Sequence, residues 1–198
     1  IKRSGYEPIN DKADKEVSLF NLTTPFVNPA FVDELSLKGN HQFKNLALAI
    51  NAINLLFKNI DDETIISGLN KVKNPCRFEY FEDRNLIVDA CHNPNGVSAL
   101  RENLDWFFPE ESRRFVFGCL KNKDYEKMMS ILFREGDEIY INEFDYPNAA
   151  NYEELAEKCH YLTKKYTDKT ILTPDKLNII CGSFYMIGGM QWLKSLQA

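Results

Sequence analysis

An apolar run, Leu86-Ile87-Val88, is followed by Asp89-Ala90-Cys91-His92-Asn93-Pro94-Asn95-Gly96 and then by a segment of helical spacing. This short stretch gathers a carboxylate, an imidazole and two amides: groups that accept from hydroxyls, bind or move protons, and pair or cap. A plainer reading has Asp89 ending the strand, Asn93 or Asn95 capping the helix, and His92 as a bystander. A zinc pair of Cys91 and His92 is weak, because adjacent residues rarely point at one metal and no other Cys or His pair has ligand spacing. A Cys91 and His92 nucleophile pair has no support from spacing either.

Three further segments occupy comparable positions. Gly182-Ser183 follows an apolar run and opens a helix, so it could meet a carboxylate or phosphate, or simply cap. Gly118-Cys119-Leu120-Lys121-Asn122-Lys123-Asp124 sits between strand and helix, with two lysines to attract anions or a solvated turn capped by Asp124. Gly39-Asn40-His41-Gln42-Phe43-Lys44-Asn45 opens a strong helix, where Asn45 could bond a base edge or stay solvated. No Gly-x-x-x-x-Gly-Lys-Ser/Thr phosphate loop occurs anywhere in the chain.

The elements that must position these residues follow from periodicity. Phe43, Leu46, Ile50, Ile53 and Phe57 recur at helical spacing and predict a helix over 41–57, with Asn40 as cap. A second helix is expected over 62–71, capped by Asp61, and a strand around Val17 to Leu22. Asn74-Pro75 marks a domain boundary. Beyond it, strands are expected at 77–82, 85–90, 114–119, 138–144, 169–172 and 178–181, and helices at 97–107, 124–134, 152–166 and 184–196. Runs such as Leu177-Asn178-Ile179-Ile180 lack two-residue alternation, as strands covered on both faces do. The alternation predicts an α/β fold, Rossmann-like, with a mostly parallel sheet flanked by helices. In such sheets ligands collect beyond the carboxyl ends of the strands. Asp89, His92 and Ser183 should therefore converge, while Asn45 belongs to the other domain.

The chain has 198 residues, 44% hydrophobic and 27% charged, which suits a globular domain with a real core. With 24 Lys+Arg against 29 Asp+Glu, the net charge of -5 argues against a nucleic-acid or anionic-lipid surface. No apolar run reaches bilayer-spanning length and the first residues are not a signal peptide, so a cytoplasmic location without membrane contact is expected. Five cysteines without a Cys-x-x-Cys pair suggest buried thiols rather than a disulfide framework. The chain has no initiator Met and starts in mid-texture, as a piece of a longer protein would.

Five motifs in order resemble the carboxyl-terminal half of the folylpolyglutamate synthase/dihydrofolate synthase family, within the Mur ligase superfamily. They are Gly-x-His-Gln-x-x-Asn (Gly39 to Asn45), Pro-x-Arg-x-Glu (Pro75, Arg77, Glu79), Asp-x-x-His-Asn-Pro-x-Gly (Asp89 to Gly96), Phe-Gly-x-Leu-x-x-Lys-Asp (Phe117 to Asp124) and Gly-Ser-x-Tyr (Gly182 to Tyr185). Departures exist. Ala90-Cys91 stands for the usual Gly-Ala and adds volume beside the site. Asn148 stands in a Pro-Arg-Ala position, and the stretch from Tyr166 to Gly182 is short enough to lack a peripheral helix.

The resemblance implies the tail of a central ATPase domain over 1–74 and a Mur ligase C-terminal domain over 75–198. It implies ATP-binding roles for Asn45 (adenine), Arg77 (phosphates) and Asp89 (ribose), and glutamate-binding roles for His92 and Ser183. ATP and Mg2+ are the expected cofactors, with the Mg2+ ligands outside this chain. The implied activity is that of an ADP-forming ligase joining L-glutamate to folate or dihydropteroate through an acyl phosphate. It needs the whole protein, a monomer, and these residues alone should be inactive. A Mur ligase of peptidoglycan synthesis and a non-catalytic nucleotide or amino-acid binding module are the alternatives.

Overall fold

A computed structural model describes residues 37, 39–57 and 60–196. The strand expected around Val17 to Leu22 lies outside them. The chain divides into two compact units between Lys73 and Asn74.

The first unit contains helices α1 (Asn40–Leu56) and α2 (Asp62–Lys71). The α1 cap is Gly39 and not Asn40, because the chain enters the helix at φ 110, a conformation that favours glycine. Asp61 caps α2 as expected, accepting from Thr64 N at 2.7 Å. Leu46, Ile50 and Ile65 are buried together, with Ile66 and Leu69 packed against them. Phe57, past the end of α1 in an extended conformation, stays exposed instead of joining this core.

The second unit is built on a six-stranded sheet in the order β1-β2-β6-β3-β4-β5. Its strands are β1 (Glu79–Phe81), β2 (Leu86–Asp89), β3 (Arg113–Phe117), β4 (Glu138–Ile141), β5 (Thr163–Lys165) and β6 (Leu177–Cys181). Only the edge pair β1 with β2 is antiparallel. Every residue of β2, β3 and β6 is buried, because helices cover both faces. On one face Ile87, Phe115, Phe117, Ile179 and Cys181 pack under α3 (Pro94–Phe107), α4 (Tyr125–Leu132) and α5 (Tyr152–Lys158). On the other, Leu86, Val88, Val116 and Ile180 pack under α6 (Phe184–Gly189) and α7 (Gln191–Lys194).

Three expectations are corrected. The helix expected over 152–166 stops at Lys158, and Thr163–Lys165 pairs with β4 as an edge strand. Its two lysines favour helix by propensity, but β4 had an unpaired edge to satisfy, and lysine is well suited to an outermost strand. The strand expected over 169–172 is a 3-10 turn, Lys169–Ile171, because Asp168 bonds Thr170 N at 2.7 Å and closes the chain locally. The final helix breaks in two after Gly188-Gly189, the weakest helix formers in it. Among the described residues no helix is long and apolar enough to cross a membrane.

At the carboxyl ends of β3 and β6 the backbones approach too closely for side chains. Gly182 has φ +114, and a Cβ there would lie 2.4 Å from Gly118 O. A Cβ on Gly118 would lie 2.6 Å from both Asn142 O and Met186 Sδ.

The amino ends are held by charge. Arg114 donates to Glu138 at 2.7 Å, and Lys176 donates to the same carboxylate at 2.8 Å. The buried amide of Asn178 donates to Thr173 O at 2.9 Å and sits 3.4 Å from Arg114. Hydrogen bonds from Lys176 and Arg114 pull the Glu138 carboxyl down to about 2.

Gly182→Ala should cost about 2 kcal/mol or more of stability in urea denaturation, from the backbone strain and the clash together. The contribution of Glu138 is complete above its ordinary value of 4.5 and is lost as pH falls from there toward 2. Glu138→Gln should therefore show a smaller drop in denaturation midpoint between about pH 6 and about pH 3 than the unsubstituted protein.

Candidate functional site

The parallel register brings three strand ends together. Asp89 ends β2 opposite Cys181 of β6, and Phe117 of β3 lies opposite the same cysteine. The loops carrying His92, Ser183 and Gly118 therefore leave the sheet side by side, although Ser183 is far from Asp89 in sequence. Asp89, His92 and Ser183 stand at one end of the sheet, as the buried parallel runs predict.

Asp89 is buried, and its carboxylate is the joint of the site. Oδ2 accepts from Phe78 N at 2.9 Å and Oδ1 accepts from Cys91 N at 2.8 Å. Ala90 N donates to Cys76 O at 2.8 Å, tying the same two segments again. Cys76 and Phe78 have φ of 60 and 47, left-handed values that put their backbone groups outside any regular ladder. Burial pushes the Asp89 carboxyl above the usual carboxylate range, while the Phe78 and Cys91 amides and the Arg77 charge draw it back.

This clamp places Arg77. Its guanidinium carbon lies 5.0 Å from the centroid of the Phe184 ring, and the His92 ring lies 6.0 Å from that same ring. His92 Nδ1 is 3.2 Å from Ala90 O. Ser183 is buried and caps α6, its Oγ accepting from Tyr185 N at 3.2 Å.

Several plainer readings hold beside these. Asn93 caps α3, accepting from Gly96 N at 2.8 Å, with Pro94 in the first turn. Asp124 caps α4, and Lys121 pairs with Glu154 at 2.7 Å. The Ala90-Cys91 pair adds no volume to the site: Ala90 packs into one face's core and Cys91 into the other's. Hydrogen bonding with Cys181 and complete burial push the Cys91 thiol well up, which removes it as a nucleophile. All five cysteines are free. Asn148 has φ 62, a turn conformation that asparagine tolerates, and its carbonyl accepts from Lys121 N at 2.8 Å.

Asn45 is exposed on α1 in the other compact unit, where it donates to Gln42 at 3.0 Å. Among the described residues, no three His, Cys, Asp or Glu side chains are grouped as a metal site.

Sequence reasoning missed Phe184 and the stacking of Tyr185, the last residue of the Gly-Ser-x-Tyr motif, on Tyr146, with centroids 3.7 Å apart. The available signal was an aromatic pair placed directly after Ser183, where a first helical turn at the strand ends leaves side chains uncovered. Phe184 is 43% and Tyr185 50% exposed.

Asp89→Asn would replace one accepting oxygen by an NH2 group and set a donor against Phe78 N or Cys91 N. It should lower stability by about 1 to 3 kcal/mol in urea denaturation, the cost of leaving a buried donor unpaired.

Comparison with known proteins bears on the family and the fold. Residues 76–180 match the family described as Mur ligase, glutamate ligase domain. The chain is 29% identical over 170 residues to the dihydrofolate synthase/folylpolyglutamate synthase of Bacillus subtilis, covering 79% of this chain and 40% of that protein. It superposes on the folylpolyglutamate synthase of Thermotoga maritima with a TM-score of 0.70 at 22% identity, covering 83% of this chain and 41% of the other. For the Mycobacterium tuberculosis folylpolyglutamate synthase solved with ADP, the TM-score is 0.68 at 25% identity, over 80% of this chain and 41% of the other. The chain thus spans about two fifths of the length of these relatives. With more than half of its residues matched, and the strand ends arranged as described, the chain belongs to the Mur ligase family through its glutamate ligase domain.

Proposed function

We propose that this chain is the nucleotide- and glutamate-facing part of an ATP-dependent ligase that adds L-glutamate to folate or dihydropteroate. The observation that carries the proposal is the gathering of Arg77, Asp89, His92 and Ser183 at the carboxyl end of a Mur-ligase-type sheet. The relative solved with ADP and the name of the Bacillus subtilis relative support it. Residues 1–74 then belong to the tail of the central ATPase domain and 75–198 form the C-terminal domain, in a cytoplasmic monomer.

The reaction has two steps. A carboxylate oxygen of the pterin substrate forms a bond to the γ-phosphorus of ATP as the bond from that phosphorus to the β-phosphate oxygen breaks, giving an acyl phosphate and ADP. The amine nitrogen of glutamate then attacks the acyl carbon, a C–N bond forms, phosphate leaves and the amine loses its proton. Positioning and charge neutralisation carry such phosphoryl transfer.

Each residue has a fitting part. The Arg77 guanidinium lies over the Phe184 ring, a contact that does not use its in-plane N–H groups, which suit phosphate oxygens. Asp89 spends one lone pair of each oxygen on the backbone and keeps another for a ribose hydroxyl. Asn45 meets the adenine edge. His92 and the Ser183 hydroxyl receive the incoming glutamate.

In the complete enzyme, Arg77→Ala should raise KM for ATP about 10-fold or more, the worth of a charge-assisted contact, with little change in Tm. Steady-state kinetics at varied ATP checks this. Unchanged ATP kinetics with a lowered Tm would make the arginine structural.

A further inference from the structure

Phe184 is an aromatic residue that the core does not use. It is 43% exposed and belongs to neither of the clusters that cover the two faces of the sheet. Its neighbours are instead polar groups of the site: the Arg77 guanidinium at 5.0 Å and the His92 ring at 6.0 Å, tilted by 47°. These two residues come from different loops, one before β1 and one after β2, and Phe184 contacts both. A single ring thus joins three segments that no regular hydrogen-bond ladder connects at this point.

The chemistry of the contact explains why a ring suits the place. A guanidinium packed against an aromatic face is restrained through its own π face, and its N–H donors, which lie in the guanidinium plane, stay free. A carboxylate partner would restrain it as well, but would occupy those donors. His92 is steadied on a second side by Ala90 O, 3.2 Å from Nδ1. A proton on Nδ1 donates to that carbonyl and leaves Nε2 for a ligand. Both residues have rotamer freedom that binding must otherwise remove, so ordering them in advance lowers that cost.

We propose that Phe184 is a positioning residue that pre-orders Arg77 and His92 together, coupling the phosphate-binding and glutamate-binding halves of the site. The inference rests on the functional reading above in assigning ligands to those two residues, whereas the geometry of the ring does not.

Two measurements test it. In the complete enzyme, Phe184→Leu should raise KM for both ATP and glutamate about two- to fivefold, the fold-change of an exposed cation–π contact, with kcat and Tm near their original values. Phe184→Tyr should restore both constants. In NMR spectra of the 198-residue chain, the Arg77 Nε–H and the His92 ring protons should carry ring-current shifts that vanish in Phe184→Leu and persist in Phe184→Tyr. Unchanged KM values in Phe184→Leu, or a fall in Tm that Phe184→Tyr does not repair, would overturn the proposal. If the unsubstituted enzyme ligated no glutamate, the functional reading would fall. The ring-current shifts would then judge the positioning by themselves: their loss in Phe184→Leu supports it and their persistence refutes it.

Discussion

One buried carboxylate holds the site together. The segment Cys76-Arg77-Phe78 enters the sheet through two left-handed residues, and a chain in that conformation cannot direct its N–H groups into a neighbouring strand. Asp89 accepts from Phe78 N on one side and from Cys91 N on the other. Burying a carboxylate costs several kcal/mol if nothing compensates it. Here two amides and the charge of Arg77 offset that cost, and burial still holds the carboxyl above its ordinary range. The position of Arg77, the path into β1 and the start of the His92 loop all follow from these bonds.

The two ends of the sheet differ in how their charged groups are paired. At the amino end, Arg114, Glu138, Lys176 and Asn178 answer one another, and Arg113 reaches Asp105 as well as the carbonyls of Leu104 and Phe108. That end is a dense network, although the buried Arg113 Nε has no hydrogen-bond partner among the described residues. At the carboxyl end the guanidinium of Arg77 lies against a ring and three aromatic side chains, Tyr146, Phe184 and Tyr185, face solvent. Charge-paired networks hold a fold, while a charged group beside uncovered aromatic surface invites a ligand.

Much of this was legible in the chain because its signals are local. Leu86-Ile87-Val88 and Ile179-Ile180 lack alternation because both faces are covered, and Asp61 and Asn93 cap where their spacing says. The loop Asp89 to Gly96 could be singled out by composition alone. What escaped depends on partners distant in sequence. Thr163-Lys164-Lys165 reads as helix until the free edge of β4 is known to need pairing. Asp168 turns the chain before Lys169 through a bond that strand propensity does not weigh. Phe184 looks like one more apolar helix residue, and only the convergence of two other loops reveals what it touches. Cys91 looked like bulk beside the site, yet the twist of the loop sends it into the core beside Cys181.

The strand order β2-β6-β3 has a consequence for how the chain acquires its structure. β6 lies between two strands made long before it, with Leu86↔Asn178 and Arg113↔Leu177 as its outermost partners. During synthesis β2 and β3 leave the ribosome with no strand to join them, and their inner edges wait for Leu177–Cys181. Pairings of such long sequence separation are slow to form, and open strand edges are where a growing chain is most exposed to wrong partners. The last strand to be made is therefore the one that closes the sheet and, in the same step, delivers Ser183 and Phe184 to Asp89 and Arg77. Assembly of the fold and assembly of the site are a single late event, so a ribosome that stops short of residue 184 releases neither.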